Sequence, residues 1–318
     1  MPPQFLRKNG RLSINSPFIM AGFVEQYLGE IYALTTAIVW AFAVILFKKS
    51  GEAVHPIGLN VFKSILAIVL LAPTAWLFGQ SIFRDVPLTD YLILLVSGAL
   101  GIGISDTLFF KSLNALGAGL SAVVDCLYSP FIISMSLIFL AESLSFWQLV
   151  GATLIVSAVL SIILEKHTTV EDKKRVYWGV FWGAAAMLFN AVGLVMVKPV
   201  LNNAPLFWAT EWRLIGGAII LVLALILHPR RRAILNSIKS PQQLGYTISG
   251  SLIGTYLGMV LWLAGMKYTQ ASTTAALNQT SNIFVFIFAA LILKERITPV
   301  RLAAICLGVG GALLVTFG

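Results

Sequence analysis

The sequence predicts an all-α polytopic membrane protein, with ten transmembrane helices arranged as two inverted five-helix repeats. Three observations carry that prediction: composition, the length of the apolar runs, and an internal alignment. Of 318 residues, 58% are hydrophobic and 11% charged, against about half and a quarter in soluble domains. Mean hydropathy is +0.89. A soluble chain of this composition would have no polar skin, so a soluble enzyme, a disordered chain and a fibrous repeat are excluded.

Residues 1–27 read as an N-terminal tail. Arg7, Lys8 and Arg11 precede a short apolar patch that runs into Glu25 and Glu30, with no small-residue cleavage site. Apolar stretches of the length a helix needs to cross hydrocarbon follow at 28–47, 57–79, 90–111, 117–140 and 144–164. They define a first repeat, 28–165. A polar linker, 166–175, leads to spans at 176–198, 205–228, 243–266, 271–293 and 298–317, the second repeat, 176–318. Strands are rejected because barrel strands alternate polar and apolar residues over about ten positions, whereas these runs are continuously apolar. A helix also satisfies every backbone polar group within its own segment, as lipid demands.

The two fives align. Gly29, Ala41, Lys48 and Lys63 lie over Gly179, Ala191, Lys198 and Arg213 at a constant shift of 150. Residues 98–151 lie over 251–304 at a shift of 153, which pairs Gly101 with Gly254, Phe131 with Phe284 and Glu142 with Glu295. An odd number of spans per repeat forces the two copies into opposite orientations, an architecture of transporters whose sites lie near the midplane between the halves.

Leu-Ala-Glu-Ser-Leu-Ser-Phe-Trp-Gln-Leu-Val-Gly (140–151) and Leu-Lys-Glu-Arg-Ile-Thr-Pro-Val-Arg-Leu-Ala-Ala (293–304) resemble the segments that close each half of EamA-type transporters of the drug/metabolite transporter superfamily. Trp40 with Lys48, and Pro56 with Lys63, resemble that family's first two helices, and Pro205 with Arg213 repeats the second feature. The resemblance covers about 28–317 and implies transport of small organic metabolites or drugs, as an exporter. It departs from the pattern at Ala141 and Lys294, where Gly is usual before the Glu, and at Lys63, where Arg is common.

Ionisable groups at the centre of a span cost about 2.5–3.5 kcal/mol each on insertion scales and are functional candidates by default. Asp125 is the deepest, followed by Glu211 and Arg213 in the seventh span, Lys63 in the second and Asp106 in the third. Asp125 with a basic partner suits a zwitterion or a proton relay; permanent pairing that merely locks the bundle is the competing use of the same residues. Asn278, the repeat partner of Asp125, opens a polar stretch that includes Asn282. Trp40 and its partner Asn190 lie mid-span, as does Tyr256, and all three are candidates to line a cavity or simply to pack. Glu142 and Glu295 sit at helix ends, where a carboxylate accepts hydrogen bonds and serves structure. Gly250, Gly254 and Gly258 form a GxxxGxxxG face, which permits close helix approach.

Cys126 and Cys306 lie within apolar runs, and His55, His167 and His228 are scattered along the chain. No metal site is expected from such a set, no GxxxxGK[ST] loop implies ATP, and neither a cofactor nor enzymatic chemistry is expected. The net charge of +9 reads as topology rather than nucleic-acid binding. With ten spans, 7 basic residues fall on the side of the termini and 15 on the other. The positive-inside rule then places both termini outside, whereas the resemblance implies termini inside. The expected function is facilitative or proton-coupled transport by alternating access in the cytoplasmic membrane. The partners are a small-molecule substrate, protons and lipid, with a homodimer through the outer fifth and tenth spans. The competing reading is a non-transporting or lipid-handling membrane scaffold.

Overall fold

The computed structural model describes residues 27–140, 145–165, 169–201, 203–268 and 277–317. Its helices are α1 (Leu28–Ser50), α2 (Pro56–Leu77), α3 (Leu88–Leu116), α4 (Ala118–Phe139), α5 (Phe146–Leu164), α6 (Val170–Leu201), α7 (Leu206–Leu227), the short α8 (Arg231–Ile238), α9 (Pro241–Gly265), α10 (Leu277–Leu291) and α11 (Pro299–Phe317). Among the described residues, nine helices are long and apolar enough to cross a membrane. The expected span 271–293 is represented by the shorter α10, because the residues before Leu277 lie outside the described ones. Helix α8 was not anticipated from the sequence.

Local chemistry sets the helix ends. At α2 the His55 side chain accepts the Ile57 amide and Pro56 occupies the first turn, where its missing N–H costs nothing. Ser145 and Gln148 form a reciprocal capping box on α5. Helix α4 begins after Gly117, whose φ of 87° favours glycine.

Two helices of each half depart from regular geometry at matching places. Helix α3 widens into a π-helical segment at Ala99–Ile104, and α9 does so at Ser251–Leu257. These positions superpose at the 153-residue shift. Helix α4 breaks at Cys126 and Leu127, and α10 at Thr280, again in register. Pro130 accounts for the first break, since it has no N–H to offer Cys126, whose carbonyl instead takes the Ser129 amide at 3.2 Å. At the second, the Thr280 hydroxyl bonds back to the Leu277 carbonyl, a pattern that bends helices.

Packing runs mainly between the halves. Helix α1 lies against α9 and α10, and its counterpart α6 against α3 and α4. Helix α2 packs on α7, and α5 on α11. The α1–α9 crossing places Gly254 against Ala43 and Gly250 against Phe47; the matching α6–α3 crossing places Gly193 against Ser97 and Gly101. Gly258, third in the anticipated glycine face, carries no comparably close approach.

Candidate functional site

The first element of the site is an ion pair. Lys63, on the buried face of α2, donates to Asp106 Oδ2 on α3 at 2.6 Å. Their side chains are 5% and 22% exposed, so the pair is largely withdrawn from solvent. Phe110 lies one turn along α3, its ring 6.0 Å from the Lys63 ammonium.

Asn60, one turn before Lys63 and fully buried, holds the α3 side of this pair. Its Nδ2 donates to the carbonyls of Ile102 and Gly103 at 2.9 and 3.1 Å and to Thr107 Oγ1 at 2.9 Å. Those carbonyls belong to the π-helical segment, where a widened turn leaves backbone groups short of helical partners. Asn60 supplies what the irregular backbone lacks and fixes the turn that bears Asp106. Sequence reasoning missed this residue; an amide near the start of an apolar span carries no distinguishing signal.

Arg213 reaches the same region from α7. Asp106 and Tyr128 act on its guanidinium electrostatically, and Asp125 acts on Tyr128 in turn. Arg213 Nε is buried without a hydrogen-bond partner. The helix that carries it approaches α3 very closely: a Cβ on Gly98 would fall 1.8 Å from the Arg213 carbonyl, and one on Gly216 would fall 2.1 Å from the Leu95 carbonyl. Asp125 stands at the break in α4, partly buried. Four of the five charges picked from the sequence therefore converge, with Tyr128 as an unanticipated fifth member.

Glu211 does not join them. Two residues apart on a helix face about 200° from one another, so Glu211 points away from the side of Arg213. It is buried, with Oε2 unpartnered.

The polar stretch of α10 faces the break in α4. Gln279 Nε2 donates to Ser129 Oγ at 2.6 Å, and Asn282 Nδ2 reaches Cys126 Sγ at 3.6 Å and Gln279 Oε1 at 3.4 Å. Asn278 Oδ1 is buried without a partner. The two broken helices are thus joined by amides where each loses backbone regularity. Tyr256 shares a hydrogen bond with Thr74 at 2.9 Å, linking α9 to α2. Trp40 packs against the main core, and Asn190 is partly buried on α6.

Glu295 is a cap. Its two oxygens accept the Ala118 and Gly119 amides at 2.8 and 3.0 Å, closing the first turn of α4 from across the repeat boundary. Glu142 lies outside the described residues.

The EamA-like transporter family matches this chain twice, over residues 27–164 and 177–317. The chain belongs to that family. It is therefore, with its apolar helices, a multi-pass membrane protein. Relatives include an uncharacterized transporter of Archaeoglobus fulgidus, 24% identical over 84% of this chain and 90% of the relative. Another, from Methanothermobacter thermautotrophicus, is 24% identical over 92% and 86%. The uncharacterized inner membrane transporter YhbE of Escherichia coli is 28% identical over half of each chain. A solved crystal structure shares the fold at a TM-score of 0.62 and 16% identity, over 91% of this chain and 96% of that one.

Proposed function

We propose that the protein is a secondary transporter of small organic solutes, an exporter by family resemblance, working by alternating access of its two inverted halves in the cytoplasmic membrane. The observation that carries this reading is the convergence of Lys63, Asp106, Arg213 and Asp125 beside paired irregularities in the backbone. Charges this costly in a span are retained where they meet a solute or a proton.

The Lys63–Asp106 pair satisfies itself. That leaves the Arg213 guanidinium and the Asp125 carboxylate, groups of opposite sign suited to a zwitterion. Tyr128, whose hydroxyl is both donor and acceptor, interacts electrostatically with both. The π-helical segments and broken helices supply the bending: a helix already short of regular hydrogen bonds changes shape at low cost.

Asp125 is the acid assigned to proton coupling. Flux of a metabolite panel into proteoliposomes, with and without a proton gradient, tests both parts of the reading. Asp125→Asn is expected to abolish gradient-driven accumulation in folded protein, while Lys63→Arg retains it. Unchanged pH dependence in Asp125→Asn would leave facilitated diffusion. No flux of any solute would remove transport altogether.

A further inference from the structure

The α1–α2 turn and the α7–α8 turn enclose a cavity of about 700 Å³ that the transport reading does not use. Its wall includes Glu52, His55, Asn114, His228, Arg230 and Ser237. The two histidines are far apart in sequence and come from opposite halves, yet their ring centroids stand 5.8 Å apart. Both rings are held in a defined way. His55 Nδ1 accepts the Ile57 amide at 3.3 Å, and His228 Nδ1 accepts the Arg230 amide at 3.1 Å. A neutral imidazole has one accepting and one donating nitrogen. With Nδ1 accepting in each, Nε2 of both rings carries the proton.

The rest of the lining is of the same kind. Arg230 brings a guanidinium and Asn114 an amide, while the Ser237 hydroxyl is committed to the Ile234 carbonyl. The carboxylate of Glu52 is engaged by Lys49 at 3.2 Å. Burial, with His228 and Lys111 of α3 acting on it, holds the His55 pKa below the ordinary histidine value. The cavity is thus donor-rich, with its one acid already paired. Its position at the ends of α1, α2 and α7, beside exposed Arg231 and Arg232 on α8, sets it at the depth of lipid headgroups, where basic residues meet anionic lipid.

We propose that this cavity is an oxyanion site for a phosphate group, distinct from the central cluster, in which His55, His228 and Arg230 donate to the anion across the junction of the two halves. A free phosphate ester and an anionic lipid headgroup present the same oxygens, and one experiment separates them. The chain has three histidines, so protein labelled with carbon-13 histidine gives three ring signals, assigned by single His→Gln variants. In one arm, inorganic phosphate is titrated into the full chain in uncharged detergent micelles. In the other, nanodiscs of phosphatidylcholine are compared with an equal mixture of phosphatidylcholine and phosphatidylglycerol.

The expected result is saturable movement of the His55 and His228 signals with His167 unmoved. The titration midpoint of His55 rises, since a bound anion stabilises imidazolium. Arg230→Gln weakens the response about tenfold, as loss of a charge-assisted bond would. Response to phosphate assigns a free anion; response only to phosphatidylglycerol assigns a headgroup. Silence in both arms, equal movement of all three histidines, or an unaltered response in Arg230→Gln would each overturn the site. No transport is measured, so the outcome is independent of the proposed function.

Discussion

The two halves of the molecule share backbone devices and differ in chemistry. Each has a π-helical segment in its third span and a break in its fourth, at positions that superpose. The side chains at those positions do not match. Asp106 is answered by Met259, Asp125 by Asn278 and Asn60 by Thr210. In the first half, Asn60 satisfies the freed carbonyls; in the second, Thr255 Oγ1 is buried within the π-helical segment with no partner. The α3–α7 crossing is built on Gly98, Gly103, Gly216 and Gly217, whereas the α9–α2 crossing has Ser251 and Tyr256 at the places of Gly98 and Gly103. Backbone irregularity is common to both halves. The clustered charge is gathered in the first half, with Arg213 as the second half's contribution; under the proposed function the irregularity serves bending and the charge serves recognition.

The largest expected effect concerns the ion pair. Lys63→Ala leaves the partly buried Asp106 carboxylate without its ammonium and should cost up to about 3 kcal/mol, the lower end for a buried pair, read as a lower melting midpoint in detergent. Adding Asp106→Asn should recover most of it. If the double variant is no better than the single, the pair is not what holds α2 to α3. Asn60→Leu comes next. It strips the amide donor from the Ile102 carbonyl, at roughly 1–3 kcal/mol for a group left unsatisfied, and leaves the Gly103 carbonyl with the Thr107 hydroxyl, whereas Thr210→Val in the other half should change the midpoint little. Equal losses would break the asymmetry between the halves.

Gly98→Ala sets a methyl group against the backbone of α7 and should cost about 1–3 kcal/mol, the range for overpacking. Ser251→Ala, its counterpart, removes one hydroxyl from a looser crossing and should cost less than Gly98→Ala. Glu295→Gln is the smallest. It loses the charge, worth about 1 kcal/mol beside a helix N-terminus, and sets an amide NH2 against one of the two backbone N–H groups that the carboxylate accepts. Slower amide hydrogen exchange at Ala118 and Gly119 in the variant than in the parent would refute the cap.

Much of this was legible in the sequence, for a specific reason. Charges are scarce in apolar spans, so Lys63, Asp106, Asp125 and Arg213 stood out before any geometry was known. The repeat was legible because charged pairs align in register. Asn60 was not, because its role depends on a π-helical turn that no residue pattern announces. The histidine pair was hidden for another reason: residues 55 and 228 meet only after the halves pack together. Glu211 shows the converse, a conspicuous charge that helical geometry turns away from its neighbours.

The interleaved packing has a consequence for biosynthesis. A nascent first half enters the bilayer before α6, α7, α9, α10 and α11 exist to cover it. One ion pair is nevertheless complete within that half, since Lys63 and Asp106 both belong to it and can neutralise one another while they wait. Arg213 is synthesised later, into a membrane where Asp106 is already in place. The order of the charges along the chain is thus an order of assembly, in which no strong cation from the second half has to enter lipid ahead of the acids that receive it.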